Sequence, residues 1–441
     1  MVKITFMGAG STVFAKNVLG DCLSTETFAE SEICLYDIDR QRLEESSLML
    51  NAINKNVNQG RAKISEYLGV EQRKEALRGA TFVVNAIQVG GYDPSTIVDF
   101  EIPKKYGLRQ TIADTLGIGG IMRGLRTIHV MSDFARDIEE VCPDAWFLNY
   151  TNPMSILTGY MLRHTAVKTV GLCHSVQTCS SGLLKALDME EHLDQRKELI
   201  AGINHMGWLL QIQDKNGQDL YPEIRRRAQL KNEQEKHHDM VRFEYIRRLG
   251  YYCTESSEHN AEYNPFFIKQ RYPELIDRYQ IPLDEYPRRC VHQIERWDDQ
   301  KKALIADPAL SHERSHEYAS YIMESIVTNT PYKIGGNVLN RGGLIENFPA
   351  EACVEVPCLV DGMGIHPCYV GQLPPQLAAM NMTNINVHLL TIAAAATRKK
   401  DYVYQAAMMD PHTGSELSID DIVSMVDELF DAHGDYLPAY Q

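Results

Sequence analysis

Long apolar runs are missing from this sequence of 441 residues. No uninterrupted apolar stretch approaches the roughly 20 residues that a helix needs to cross a bilayer. The first residues, MVKITFMGAG, enter a strand-like pattern at once and lack the basic start, apolar core and small-residue cleavage site of a secretory signal. We therefore expect a cytoplasmic protein that does not contact membranes.

Basic residues are in the minority. Lys and Arg number 44 against 59 for Asp and Glu, which gives a formal net charge of −15. A surplus of negative charge repels the phosphate backbone of nucleic acids and anionic lipid surfaces. The composition therefore argues against nucleic acid as a partner.

Closely spaced cysteine pairs are also absent. The ten cysteines are scattered along the chain, without the paired spacing of a zinc site or the dense framework of a small disulfide-bonded domain. We expect most of them to be reduced and buried. A chain of this length, with 44 % hydrophobic residues, is long enough to form two domains.

Short β-branched runs alternate with helical patterns in the first half of the chain. Alternation of this kind is typical of βαβ units and a parallel sheet. Residues 1–195 are therefore predicted to form a Rossmann-like α/β domain. The candidate strands are 2–7, 32–36, 81–87, 145–150 and 168–172, and the candidate crossover helices include 39–58 and 124–141.

Helical patterns dominate the rest of the chain. The segments 376–396 and 417–434 have a strongly helical composition, and the Gly-rich stretch 335–343 predicts a turn. We predict an α-rich α+β domain over residues 196–441, with some antiparallel strand. No repeat or Pro-rich linker marks the boundary, so its position near residue 195 rests on the change of pattern alone.

A glycine-containing turn joins the first strand to the first helix. Glycines at such a turn let a pyrophosphate approach backbone N–H groups at the positive end of a helix. The third glycine of the usual fingerprint is missing, since Phe14 and Ala15 occupy its neighbourhood. The strand–turn–helix context still favours a dinucleotide site over an ordinary tight turn. The predicted phosphate contacts are Gly8, Gly10, Ser11 and Thr12.

The second strand ends at Asp37. A carboxylate at this position meets the ribose hydroxyls of NAD and repels the 2′-phosphate of NADP, so NAD is the favoured cofactor. Asn85 and Gln88, at the end of the third candidate strand, complete the predicted NAD contacts.

Polar motifs follow three further candidate strands: GGYD at 90–93, NYTNP at 149–153 and CHS at 173–175. Ligands bind open α/β sheets in the crevice at the carboxyl ends of the strands. There, Cys173 and His205 could offer a thiolate and an imidazole to one divalent cation. Each residue alone is more often part of a core, and a spacing of 32 residues has little specificity.

These motifs together resemble the family 4 glycoside hydrolases, and within them the α-galactosidases of the melibiase type. The resemblance implies an NAD-binding domain similar to that of lactate and malate dehydrogenases, bound NAD and Mn²⁺, and a homodimer or homotetramer. It is carried by ITFMGAGST from residue 4, TIADTLGIGGIMR at 111–123, LNYTNPM at 148–154, GLCHSVQ at 171–177, AGINHM at 201–206 and TESSEHNAEY at 254–263.

The same resemblance implies roles for individual residues. Cys173 and His205 correspond to the metal ligands of the family, and Asn152 corresponds to its substrate-binding asparagine. Apart from these correspondences, Asp114, in TIADTLG, is a candidate catalytic residue in contact with substrate or nicotinamide.

The general acid and the general base of the family correspond less closely to residues of this sequence. The catalytic tyrosine corresponds to Tyr263, with Glu258 close enough to be an alternative. Glu255, Glu258 and Glu262 are acids at helical spacing, which helix propensity explains as well as catalysis does. The proton donor, an Asp directly after the metal cysteine in some relatives, corresponds to His174.

The implied reaction is hydrolysis of an α-galactoside such as melibiose. NAD-dependent members of family 4 are an exception to the two-carboxylate rule of glycosidases. Oxidation at C3 acidifies the proton on C2, its removal permits elimination at C1, and water addition and re-reduction complete the cycle. The segment GGYDPSTIVDF lacks the Arg with which some relatives bind a 6-phosphate, so unphosphorylated substrates are favoured.

Other functions fit parts of the sequence. The first domain alone suits an NAD-dependent hydroxy-acid dehydrogenase, with Arg123 or Arg126 as carboxylate clamp and His205 as acid–base. A non-catalytic NAD-binding protein is a third possible class. The many polar residues along the predicted sheet edge argue against it. Within the family, α-glucosidase and α-galacturonidase are the alternative specificities.

Overall fold

A computed structural model describes residues 1–307 and 309–441. The strands of these residues form one mixed sheet. They are β1 (Lys3–Met7), β2 (Glu32–Asp37), β3 (Lys63–Leu68), β4 (Phe82–Asn85), β5 (Trp146–Asn149), β6 (Lys168–Gly171), β7 (Lys197–Ile203), β8 (Met206–Gln213), β9 (Tyr252–Cys253), β10 (Tyr332–Leu339), β11 (Cys353–Asp361) and β12 (Gly364–Pro367).

Helices cover both faces of this sheet. Among the residues that the structure describes, none of them has the length and apolar content that a membrane span requires. They are α1 (Thr12–Leu23), α2 (Arg40–Asn58), α3 (Arg73–Leu77), α4 (Ile97–Lys105), α5 (Gly117–Val141), α6 (Met154–His164), α7 (His174–Ala186), α8 (Tyr221–Gln234), α9 (Met240–Leu249), α10 (Ser257–Glu262), α11 (Glu274–Arg278), α12 (Glu285–Ala306), α13 (Tyr318–Thr328), α14 (Pro375–Thr397), α15 (Asp401–Met409), α16 (Pro411–Glu416) and α17 (Ile419–His433).

The first half of the sheet is parallel, with the strand order β3-β2-β1-β4-β5-β6 of a dinucleotide-binding fold. Its strands are continuously apolar because helices bury both faces; Ile4, Ile33 and Phe82, for example, pair in register and are fully buried. The Rossmann-like prediction and its five strands are confirmed. The edge strand β3 was not predicted, since its half-exposed sequence KISEYL carries Lys63 and Glu66.

The second half of the sheet consists of antiparallel pairs. β10 pairs with β11, and β7 pairs with β8. The two halves join where Asn337 of β10 meets Gly171 of β6. The two antiparallel pairs join each other where Glu355 of β11 meets Gly202 of β7. The sheet is therefore continuous across the predicted boundary near residue 195, and the division into domains 1–195 and 196–441 stays a prediction.

Two glycine-rich segments differ from the sequence-based prediction. The predicted turn at 335–343 is wrong for its first residues, which lie in β10. A Cβ on Gly335 would lie 2.7 Å from Val176, and a Cβ on Gly336 would lie 2.8 Å from Cys358 Sγ. These glycines permit close packing within a strand rather than a turn. Helix α5 likewise begins at Gly117, earlier than the predicted residue 124.

A buried ion pair ties the C-terminal helix to the first half. Arg126 on α5 donates to both oxygens of Asp99 at 3.2 and 2.7 Å, and His433 Nε2 lies 2.9 Å from Asp99 Oδ1. The three side chains are at most 4 % exposed. Arg126 is thereby occupied in the fold, which removes it as a clamp for a substrate carboxylate.

We expect Asp99→Asn to lower the free energy of unfolding by about 3–5 kcal/mol, because it leaves a buried guanidinium without its counter-charge. Chemical denaturation followed by circular dichroism measures this. The matched control is Glu101→Gln, which removes an exposed carboxylate from the same helix and should change stability by less than about 0.5 kcal/mol. Equal unfolding midpoints for the two variants would contradict the role of Asp99.

Candidate active site

In the turn after β1, the backbone of the two glycines lies very close to residues at the ends of neighbouring strands. Gly8 has a φ of +86°, and a Cβ there would lie 2.9 Å from the backbone of Ala86. A Cβ on Gly10 would lie 2.8 Å from Asp37 Oδ2, which accepts a hydrogen bond of 2.6 Å from the Gly10 N–H. A side chain at either glycine would fill the turn. The turn therefore fits a dinucleotide pyrophosphate at the N-terminus of α1.

The other predicted NAD contacts are distributed around this turn. Ser11 and Thr12 begin α1, with their hydroxyls donating to Gly8 O and Gly10 O. Asn85 is fully buried, and Gln88 is exposed. The structure thus brings the glycines, Ser11, Thr12 and Asp37 together, while Asn85 lies beneath the surface of the crevice.

Two elements from different halves of the chain deliver the predicted metal ligands. Cys173 follows β6 and precedes α7, at the carboxyl edge of the parallel sheet. His205 lies in the tight turn between β7 and β8, with a φ of +62°. Donor atoms of Cys173, His205 and Glu255 all lie within 4.8 Å of one another. A thiolate, an imidazole and a carboxylate together suit a divalent transition metal ion.

The hairpin that carries His205 is anchored by a buried carboxylate. Glu355 accepts hydrogen bonds from Asn337 at 2.9 Å and from Asn204 at 3.5 Å. Asn204 directly precedes His205, so this contact fixes the hairpin against β10. Burial raises the pKa of Glu355 to about 7.

The ring of His205 is oriented by its Nδ1 side. Nδ1 lies 2.9 Å from Thr115 Oγ1 and 3.2 Å from the Tyr263 hydroxyl, whereas Nε2 lies 3.4 Å from Glu255 Oε2. The Thr115 hydroxyl donates to Asp114 at 2.8 Å, so it accepts from Nδ1–H. This bond leaves the Nε2 lone pair directed toward Cys173 and Glu255, as a metal ligand requires.

His259 closes a ring of polar side chains around this centre. Its Nε2 lies 3.6 Å from Asp114 Oδ1, and its Nδ1 lies 3.6 Å from Glu255 Oε1. We call Asp114, Thr115, His205, Glu255 and His259 the polar ring. Burial raises the pKa of Asp114, but the hydrogen bond and charge of His259 outweigh it and hold the pKa well below its usual range.

The negative charges of the centre favour a cation. Burial lowers the pKa of His205, but the charges of Cys173 and Glu255 outweigh it and raise the pKa to about 10. The same charges attract a metal ion, which competes with the proton for Nε2.

Asn152 reaches the polar ring from the β5 side. Its Nδ2 donates to Asp114 Oδ2 at 3.3 Å. Its Oδ1 is buried and has no hydrogen-bond partner among the described residues. This oxygen is a free acceptor for a ligand hydroxyl.

Glu262 holds the loop that carries Asp114. Its carboxylate accepts hydrogen bonds from the backbone N–H groups of Thr111 at 2.7 Å and Ala113 at 2.8 Å. The next residue, Tyr263, is fully buried, and burial raises its pKa well above the usual value. Its hydroxyl lies on the Nδ1 side of His205, and its role as base stays a prediction.

His174 lies beside the centre with a carboxylate partner of its own. Its Nε2 is hydrogen-bonded to Glu317, whose other oxygen accepts from the Tyr150 hydroxyl at 2.7 Å. The His174 side chain is 51 % exposed, whereas that of Glu317 is 7 % exposed. The imidazole is therefore accessible to solvent while its partner is fixed in the interior.

The structure thus connects Asp114, Asn152, His205 and Tyr263 by hydrogen bonds and places Cys173 and His174 beside them. Sequence reasoning missed Thr115, His259 and Glu317, and it treated Glu255 as an acid of a helix. The segment TESSEHNAEY held a signal for two of them, because Glu255 and His259 are four residues apart.

Two family models match the chain. The model described as family 4 glycosyl hydrolase matches residues 3–189, and that described as family 4 glycosyl hydrolase C-terminal domain matches residues 200–413. The chain is 63 % identical to an α-galactosidase of Bacillus subtilis over 100 % of both chains. It is 32 % identical to an α-galactosidase of Rhizobium meliloti, over 99 % of this chain and 89 % of that protein.

The fold is also similar to a solved structure. A 6-phospho-β-glucosidase of Thermotoga maritima, crystallised with manganese, NAD⁺ and glucose 6-phosphate, superposes with a TM-score of 0.78 at 19 % identity. The match covers 99 % of this chain and 100 % of that one. The predicted combination of a Rossmann-like sheet and an α+β second part is confirmed.

We expect Glu262→Gln to release the loop that carries Asp114, because an amide group replaces a carboxylate that accepts several backbone N–H groups. Hydrogen bonds to a charged group are worth about 1.5–3 kcal/mol, so the amides of residues 111–113 should exchange about 10- to 100-fold faster. Hydrogen exchange measured by mass spectrometry tests this. Glu258→Gln on the same helix is the control, and unchanged exchange in the Glu262 variant would contradict the assignment.

Proposed function

The chain belongs to family 4 of the glycosyl hydrolases, and on that basis we propose that it is an α-galactosidase that binds NAD and Mn²⁺ and acts on unphosphorylated α-galactosides such as melibiose. The observation that carries the proposal is the meeting of Cys173, His205 and Glu255 at the carboxyl edge of a dinucleotide-binding sheet. The high identity to the Bacillus subtilis α-galactosidase supports the choice of sugar.

The residues of this chain fit both groups. The cradle left by Gly8 and Gly10 suits the pyrophosphate of NAD, and the Asp37 carboxylate suits its ribose. Cys173 and His205 would hold the metal ion. When bound, NAD supplies reversible oxidation at C3 of the sugar, and Mn²⁺ supplies Lewis-acid stabilisation of negative charge on the sugar oxygens.

Asn152 is proposed to position the sugar. Its unpartnered Oδ1 accepts a hydrogen bond from a sugar hydroxyl, while its Nδ2 is held by Asp114. Through this contact and through Thr115, Asp114 links the orientation of the substrate to that of His205. Asp114 therefore acts by positioning in this proposal.

Tyr263 is proposed to remove the proton from C2, and the structure offers a reason to prefer it over Glu258. Tyr263 belongs to the hydrogen-bond network of His205, because its hydroxyl lies 3.2 Å from Nδ1, and this contact positions it within the site. Glu258 instead forms an ion pair with Arg289, which holds its carboxylate outside the polar ring.

His174 is proposed to protonate the leaving oxygen. Its exposed ring follows the metal cysteine directly, and Glu317 holds it in one orientation. A positioned general acid of this kind contributes about 10²- to 10⁴-fold in rate.

The charges near the site favour a neutral sugar over an anionic one. Arg126 is paired with Asp99. Arg123 stacks on the Tyr286 ring, and the Asp114 carboxylate is close enough to raise the pKa of Arg123. A hydroxy acid or a uronate would therefore meet a carboxylate beside the remaining arginine. This argues against the dehydrogenase and α-galacturonidase alternatives.

We also propose that the enzyme works in the cytoplasm as a homodimer or homotetramer. All ten cysteines are free thiols, and a thiolate that binds metal is easily oxidised outside a reducing compartment.

Release of p-nitrophenol from p-nitrophenyl α-galactoside should require both NAD⁺ and Mn²⁺. The p-nitrophenyl α-glucoside and α-galacturonide should react far more slowly. Cys173→Ser and His205→Ala should each lose at least about 100-fold in kcat/KM, because a lost ligand costs more than the 10- to 100-fold of a lost outer contact. Cys179→Ser, which changes a buried thiol within α7, should retain activity. Wild-type turnover by either ligand variant would contradict the site.

A further inference from the structure

The centre at the sheet edge contains a third side chain that suits a metal ion. Resting on the proposed metal-dependent function, we infer that Glu255 is a third protein ligand, so that the site is a Cys–His–Glu centre rather than a Cys–His pair. Glu255 Oε2 lies 3.4 Å from His205 Nε2, the ring nitrogen that points away from Thr115.

The separations of the three donor atoms suit one cation. They lie within 4.8 Å of one another. Metal–ligand bonds of about 2.0–2.3 Å place neighbouring ligand atoms roughly 3–4 Å apart, so small side-chain movements suffice to bring all three onto one ion. The thiolate and the carboxylate together neutralise the charge of a divalent cation.

The carboxylate of Glu255 is held for this role by its other oxygen. Oε1 accepts from the Ser256 N–H at 3.1 Å and lies 3.6 Å from His259 Nδ1. His259 is fixed in turn by Ser256 Oγ at 2.8 Å and by Asp114. Partners of this kind orient a metal-binding carboxylate and are typical of metal sites. Oε2 stays directed at His205 and Cys173.

Backbone conformation also aims this side chain. Glu255 has a φ of +63°, and His205 has a φ of +62°. Left-handed conformations cost about 1–3 kcal/mol for residues other than glycine and cluster at functional sites. Two such residues with donor atoms within 4.8 Å of one thiol are consistent with a centre whose geometry is imposed by the fold.

Neighbouring acids do not share these properties. Glu258 is paired with Arg289, and Glu262 accepts backbone N–H groups. The Glu255 side chain is 22 % exposed, so its carboxylate borders the crevice. Three protein ligands leave open positions for two sugar oxygens, and a carboxylate shifts the preference of a thiolate site toward Mn²⁺.

The test is a titration of metal-free protein with Mn²⁺ in the presence of NAD⁺. The electron paramagnetic resonance signal of free Mn²⁺ measures how much of the ion is bound. Glu255→Gln should raise the Kd for Mn²⁺ at least about 10-fold, and Glu255→Asp, which keeps a carboxylate, should lie between it and the wild type. The Kd for NAD⁺ should not change. Glu258→Gln is the matched control and should bind Mn²⁺ as the wild type does. A wild-type Kd for Mn²⁺ in Glu255→Gln would overturn the inference.

Cobalt separates this inference from the proposed function. Co²⁺ bound to a thiolate gives a charge-transfer absorption band, which should persist in Glu255→Gln at saturating Co²⁺ and vanish in Cys173→Ser. A band in Glu255→Gln together with an unchanged Kd would overturn the role of Glu255 alone. A band that survives Cys173→Ser would overturn the metal site on which the proposed function rests.

Discussion

The approach of His205 to Cys173 is the contact on which the rest of the site depends. Cys173 follows the parallel strand β6 and His205 lies in an antiparallel hairpin. They meet because β10 and β11 lie between β6 and β7 in one continuous sheet. Glu355 secures this junction through Asn337 and Asn204. A buried carboxylate thus sets the position of the hairpin that carries His205, the proposed metal ligand.

The polar ring surrounds this contact with carboxylate and imidazole groups that fix the local charge. Each of its members contacts two others, so the proposed cation and sugar would bind with little reorganisation. Such preorganisation is a major source of electrostatic catalysis. The ring also connects Asn152 with His205 through Asp114 and Thr115. Binding of the sugar and binding of the metal are therefore expected to support each other.

The strands of the parallel half could be predicted from the sequence, because a strand that is buried on both faces appears as a short apolar run between turn residues. Cys173 and His205 were predicted to lie together because one follows a strand and both match a family motif, and the structure brings them together. Glu255 and His259 were not recognised, since the sequence suggested a helix over this segment whereas α10 begins at Ser257 and Glu255 adopts a left-handed conformation. That conformation is set by tertiary contacts, which no local pattern records. Gly335 and Gly336 were misread for a related reason, because the side chains that crowd them come from distant segments.

We propose that this arrangement breaks the C–H bond at C2 of the sugar, a bond that a two-carboxylate glycosidase leaves intact. Hydrolysis in heavy water with analysis of the released galactose by NMR tests it most directly. Deuterium is expected at C2 of the product, because the proton lost from C2 is replaced from the solvent. Product galactose that retains only protium at C2 would contradict it.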